Sequence, residues 1–203
     1  MGLLKRLADS IDRFNEILGR SVSWLALAMI LIGAYNAIVR TLDKYGLTEE
    51  PLSSNTFLEA QWYLFSALFL GAAAWTLEQD AHVRVDVLYG RLGERGRAWI
   101  DLLGTLLLLL PFCGYAIWTS WPIVAESWRI LEPSSEVGGL PRYPIKTLIP
   151  VAFALLALQG LSMACRKALV LLGDPPPPAD GAEQAAADPT GGELPLPAEV
   201  ARP

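Results

Sequence analysis

The chain has 203 residues, 53% hydrophobic and only 18% charged, which excludes a disordered protein and is too apolar for an ordinary soluble domain. Its net charge of −5 belongs to a tail: from Asp174 onward six acids (Asp174, Asp180, Glu183, Asp188, Glu193, Glu199) stand against Arg202 alone, and the rest balances at 15 acids and 15 bases. One His and two Cys leave little for a metal cage, a disulfide framework or histidine chemistry, and there is no basic excess for nucleic acid.

At the N-terminus, Leu3, Leu4, Leu7, Ile11, Phe14, Ile17 and Leu18 recur at three- and four-residue spacing, while Lys5, Arg6, Asp9, Asp12, Arg13 and Glu16 fill the other face. The pattern predicts an amphipathic interfacial helix over residues 1–20 that anchors in membrane lipid or braces a partner subunit, the plainer alternative being a simple lead-in to the next element. Four long uncharged windows follow: Ser21 to Val39 (19 residues), Ala60 to Leu77 (18), Leu102 to Ala125 (24) and Thr147 to Cys165 (19). About 20 apolar helical residues cross a hydrocarbon core of about 30 Å, so all four can span. The fold class expected is therefore an all-α membrane protein, with a transmembrane domain over 21–172 and spans at about 21–40, 60–78, 100–125 and 147–166.

Span 1 is longer than a signal-peptide apolar region and is followed by Arg40-Thr-Leu-Asp43, without a small-residue cleavage site, so it is expected to persist in the mature chain. After it, Thr41 to Glu59 is polar, and Thr56-Phe-Leu-Glu59 fits a capping box that would open helix 2. The competing role for Glu59 is contact with a partner. The connection from Glu78 to Arg97 holds Val83, Val85 and Val87 alternating with His82, Arg84 and Asp86. That run suits a short extended piece or a capped short helix. In a charged loop without triad or metal partners, His82 reads as a surface or hydrogen-bonded residue.

Span 3 contains Pro111, which should kink it, and Pro122; span 4 contains Pro150. The last two fall near the predicted ends, where a missing N–H costs less. Cys113 and Cys165 lie at different depths, so no disulfide is expected. Between spans 3 and 4, Pro133, Gly138-Gly139, Pro141 and Pro144 exclude a continuous helix. With Trp121, Trp128 and Tyr143 beside Arg129, Glu132, Glu136 and Arg142, this loop could dock a partner, or could be an interfacial belt with ordinary loop charges. From residue 173 the chain is rich in Pro, Ala, Gly and acid and is expected to be disordered.

Orientation follows from Lys and Arg: 11 lie on the side that holds both termini and the connection between spans 2 and 3, against 5 on the other. Both termini are therefore expected in the cytoplasm. No H-E-x-x-H, G-x-S-x-G or P-loop string is present, so no catalytic residue, cofactor or metal is assigned. None of the windows holds an ionisable residue, as a self-sufficient transporter would need, and Asn36, Gln159, Ser66, Ser120 and Ser162 read as interhelical hydrogen-bonding residues. A membrane anchor or assembly subunit of a redox enzyme is the alternative from another class, although axial haem ligands within the spans are missing.

Three runs carry a more specific signal: Glu59-Ala-Gln-Trp62, His82-Val-Arg-Val-Asp86 and Gly138-Gly-Leu-Pro141. In their order and setting, from about span 1 to the end of span 4, the sequence resembles the small membrane subunit of tripartite ATP-independent periplasmic (TRAP) transporters. The resemblance implies a bacterial inner-membrane importer. In it, a periplasmic binding protein captures an organic acid or similar solute and a large permease subunit moves it inward with sodium, while the small subunit is a non-enzymatic scaffold. It also implies partner-facing or loop-ordering roles for Glu59, Trp62, Trp128, Arg129 and Arg142 on the outer side and for His82, Arg84 and Asp86 on the inner side.

Overall fold

The structure is a computed structural model and describes residues 2–46, 54–79 and 92–173. The expectations for His82, Arg84, Asp86 and the acidic tail lie outside those residues. The described chain is helical, with no strand among its residues: α1 (Gly2–Lys44), α2 (Asn55–Glu78), α3 (Glu94–Gly104), a π-helical turn (Thr105–Leu109), α4 (Leu110–Arg129) and α5 (Tyr143–Leu171). Among the described residues four stretches are long and apolar enough to cross a membrane: Leu4–Lys44, Asn55–Glu78, Arg95–Arg129 and Tyr143–Leu171.

Every helix outruns its uncharged window. A helix satisfies its own backbone hydrogen bonds, so a charged residue ends the apolar window without ending the helix. The difference is largest in α1, where no break separates residues 1–20 from the first span: 43 residues form one helix, about 65 Å long at 1.5 Å per residue. The junction contains no proline, and the hydroxyls of Ser21 and Ser23 fold back onto the carbonyls of Ile17 and Arg20 at 2.8 and 2.7 Å.

Pro111 is accommodated by a change of helix type. Proline lacks an N–H, and its ring clashes with the carbonyl four residues back in a regular helix. Here the preceding turn widens to π geometry, with the Leu110 N–H donating to the Thr105 carbonyl. Pro122 and Pro150 are not near helix ends, as the window lengths implied. Each stands seven residues inside its helix, because α4 continues to Arg129 and α5 begins at Tyr143. Cys113 and Cys165 are both free thiols.

The centre of the bundle is α5, which packs against α1, α2, α3 and α4, while α1 also packs along α2. A third of the apolar window of α5 is buried, against 6–11% in the other three spans. Its buried positions are Pro150, Ala152, Gln159, Gly160, Ser162, Ala164 and Leu169, of which five (Ala152, Gln159, Gly160, Ser162 and Ala164) are small or polar residues of the kind that let neighbouring backbones approach closely. The α1–α2 contact is equally close: a Cβ on Gly19 would lie 2.5 Å from the Cβ of Trp75. Large apolar side chains instead point outward, including Trp24, Phe69, Leu108 and Trp118 at 67–73% exposure. This is the arrangement expected where the solvent is lipid and helices associate by packing and polar contacts.

Candidate interaction site

The loop over residues 130–142 joins α4 to α5 and is held from three sides. It starts with a Schellman turn: the N–H groups of Leu131 and Glu132 donate to the carbonyls of Trp128 and Ser127 at 3.3 and 3.0 Å. Leu131 occupies the left-handed position at φ 47°, where glycine is usual. The loop closes on itself when the Arg142 N–H donates to the Glu132 carbonyl at 2.9 Å.

Glu132 ties the two adjoining helix ends together. Its carboxylate accepts from the fully buried Ser127 hydroxyl of α4 at 2.6 Å and from the Lys146 ammonium of α5. The Lys146 contact, reinforced by the Ser127 hydrogen bond, holds the Glu132 carboxyl below its ordinary pKa.

The third side is the start of α2. Asn55 Nδ2 donates to the Val137 carbonyl at 3.3 Å, and the Thr56 hydroxyl to the Gly138 carbonyl. Glu59 accepts from the Ser134 hydroxyl and from the Leu140 N–H, the latter at 2.5 Å. One helical turn further on, the Tyr63 hydroxyl donates to the carbonyls of Leu140 and Pro141 at 3.1 and 2.9 Å. The two glycines make this seat possible. Gly138 takes φ +74°, and a Cβ on Gly139 would stand 2.5 Å from Glu59 Oε2.

The capping-box reading of Thr56 and Glu59 is thereby corrected. Ser54 is the N-cap, its side chain accepting from the Thr56 N–H, and the helix begins at Asn55. With the start two residues earlier, Thr56 and Glu59 lie within the helix and turn to the loop instead.

Of the other expected residues, Trp128 packs against Tyr143 with ring centroids 4.6 Å apart and planes tilted by 60°, and donates its indole N–H to Thr147 at 2.8 Å, joining α4 to α5. Arg129 forms a two-pronged pair with Glu126 on the same helix, at 2.6 and 2.8 Å. At this exposure solvent screens such a pair and it adds little to stability. Glu59, Trp128, Arg129 and Arg142 thus gather at one end of the bundle. Trp62 is 75% exposed on another face of α2 and takes no part in seating the loop.

At the opposite end lies a polar cluster that pattern reading missed. Asp12 of α1 accepts from Gln159 at 2.9 Å and Ser162 at 2.6 Å through one oxygen, and from Arg166 Nε at 2.7 Å through the other. Asn15 donates to Gln159 at 2.6 Å, and Arg166 also reaches Asp9 at 2.9 Å. Gln159 and Ser162 do make interhelical hydrogen bonds, whereas the hydroxyls of Ser66 and Ser120 bond to carbonyls of their own helices. The only advance signal for the cluster was Gln159 and Ser162, three residues apart on one face of an apolar span.

Neither end offers a nucleophile–base pair, and among the described residues no three His, Cys, Asp or Glu side chains converge. What both ends can do is fix backbone positions. A family model described as "Tripartite ATP-independent periplasmic transporters, DctQ component" matches residues 30–169, a range that contains the whole seated loop and the α5 half of the polar cluster. No curated protein and no solved structure matches the chain. The family is a transporter component rather than an enzyme, and the match lends nothing to the redox-anchor alternative. With more than two thirds of its length matched and four helices able to span, the chain belongs to the DctQ family, the small membrane component of TRAP transporters, and is a multi-pass protein of the inner membrane.

Proposed function

We propose that this subunit is a fixed scaffold for the large permease in sodium-coupled uptake of an organic acid or similar solute delivered by a periplasmic binding protein. The family works with those two partners, and the observation that carries the scaffold reading is the seating of the 130–142 loop. Its backbone is held by side chains of α2 (Asn55, Thr56, Glu59, Tyr63) and by the Ser127–Glu132–Lys146 bridge between α4 and α5. A surface tied at that many points resists deformation, which suits a body against which another subunit moves. The 11-to-5 distribution of Lys and Arg puts both termini in the cytoplasm and this loop on the periplasmic side. There Trp128, Arg129 and Arg142 border the surface offered to the binding protein, with Glu59 ordering it from beneath and Trp62 facing outward beside it. His82, Arg84 and Asp86 order the opposite, cytoplasmic connection or brace the large subunit there.

Co-expression of the tagged chain with the adjacent large permease, followed by purification in mild detergent, tests the reading. A stable pair that takes up solute in proteoliposomes only with sodium and binding protein is the expected result. Uptake by this chain alone, or no pair in any of several detergents, would overturn it.

A further inference from the structure

Three ion pairs mark one level across the bundle. The uncharged run of α5 ends at Cys165, and the next residue, Arg166, pairs with Asp9 at 2.9 Å and with Asp12. The uncharged run on the α3–α4 side begins after Asp101, which pairs with Lys167 at 2.7 Å. Arg166 and Lys167 are neighbours, so the edge of the hydrocarbon passes through this plane. On α1 the residues at that plane are 9 to 12, although its own uncharged window does not begin until Ser21. The helix therefore meets the headgroup layer about two turns nearer its N-terminus than its hydropathy indicates.

That placement gives the outer face of α1 a specific character. The inward stripe is Ala8, Asp12, Asn15 and Gly19, all buried; its one acid, Asp12, and the exposed Asp9 beside it are both spent on Arg166. Arg6 and Arg13 point away from the stripe, while Lys5, seven residues from Asp12, lies on its line; all three are exposed and form no ion pair with the described residues. Arg6 and Arg13 are seven residues apart, two turns on one face, and each lies within about one turn, or about 5 Å, of the 9–12 level. Deeper on the same side, Phe14 and Ile17 are 49% and 59% exposed. The next outward charges, Glu16 and Arg20, pair with each other at 2.6 Å. Unpaired cations at headgroup depth above bare apolar side chains, with the only deeper charges neutralised, match an anionic phospholipid: phosphate and headgroup against the cations, acyl chains against the apolar side chains.

We propose that the outward face of α1 around Arg6 and Arg13 is a binding site for anionic phospholipid, with Phe14 and Ile17 receiving the acyl chains. The site is independent of the scaffold reading, since it rests on this chain alone.

Native mass spectrometry of the full chain in detergent, titrated with phosphatidylglycerol and separately with phosphatidylcholine, tests it. Phosphatidylglycerol should bind preferentially, and affinity should fall on the order of tenfold in the double variant Arg6→Gln/Arg13→Gln and with added salt. Both substituted side chains are exposed, so the thermal unfolding midpoint should not move. Equal retention of the two lipids, or unchanged phosphatidylglycerol affinity in the double variant, would overturn the proposal. Two further arms identify other occupants. Tighter lipid binding after deletion from Asp174 onward would mean that the acidic tail covers the face. Loss of the lipid in the complex with the large permease would mean that a protein does. Either would overturn the proposal as stated.

Discussion

The two ends of the bundle are both held by a carboxylate from a neighbouring helix, and they differ in what that carboxylate grips. At the loop end, Glu59 accepts a backbone N–H and a hydroxyl, so it fixes the path of a segment that has no regular hydrogen bonding of its own. At the other end, Asp12 meets only side chains of α5, namely Gln159, Ser162 and Arg166. It fixes the position of one finished helix against another. A brace on backbone shapes a surface; a clamp on side chains sets the register between rigid elements.

The contrast predicts different consequences when each carboxylate is removed. Asp12→Ala should have the larger effect, because it leaves Arg166 without its buried partner and the Gln159 amide without its acceptor, while the Ser162 hydroxyl keeps only the longer contact to the Ala8 carbonyl at 3.3 Å. The cost is about 3 kcal/mol, the low end for a broken buried pair, since Arg166 is about a third exposed. The thermal midpoint in detergent should drop clearly, with α1 detaching from α5, and Asp12→Asn should recover part of it by keeping one acceptor. An unchanged midpoint would mean that the cluster does not hold the two helices together.

Glu59→Ala should cost less and act locally. It leaves the Leu140 N–H and the Ser134 hydroxyl without the acceptor that holds them. Limited proteolysis should show faster cleavage within residues 130–142 while the helices stay protected. Gradual, uniform digestion of the whole chain would contradict a brace confined to the loop. Acid should loosen the same end. The carboxyl of Glu132 titrates below its ordinary value in the folded chain because of Lys146 and Ser127. Its contribution is therefore complete above the usual carboxylate range and is lost as the pH falls through that depressed value. Loop protection should hold at neutral pH and decline only under acid, and Glu132→Gln should remove only its own share of that step, because the Ser134 hydrogen bond also holds the Glu59 carboxyl below its ordinary value. A loss of protection on going from pH 7 to 6 would point to a different group.

The same contrast explains what could be read in advance. Four helices follow from windows of 18 to 24 uncharged residues, since hydrophobicity alone decides what enters lipid. The loop after α4 was legible because Pro133, Gly138-Gly139 and Pro141 forbid a helix whatever surrounds them. The Glu59 brace was half legible: the acid stood out, but its partners, a backbone N–H and a serine hydroxyl, lie 81 and 75 residues away, and a local capping pattern offered an easier account. The Asp12 clamp was hidden because an amphipathic pattern gives a polar face and an apolar face without saying which one turns inward. In water the apolar face is buried. Beside a membrane, Phe14 and Ile17 face outward and Asp12 and Asn15 face the bundle, the reverse of the soluble rule.

The smallest expected effect sharpens the loop side of the comparison. Leu131 occupies the left-handed position of the turn that ends α4, at φ 47°, where a Cβ crowds the following carbonyl and costs about 1–2 kcal/mol relative to a residue without one. Its side chain is 62% exposed, so little packing is lost if it goes. Against this, glycine gains conformational freedom in the unfolded chain and returns part of the benefit. Leu131→Gly should therefore raise stability slightly, by about 0.5–1 kcal/mol, seen as a small upward shift of the thermal midpoint with the loop protection of the parent retained. If it lowers the midpoint instead, the exposed leucine is covered by something in the folded protein. The same substitution made in the complex with the large permease would then tell whether that cover is the partner.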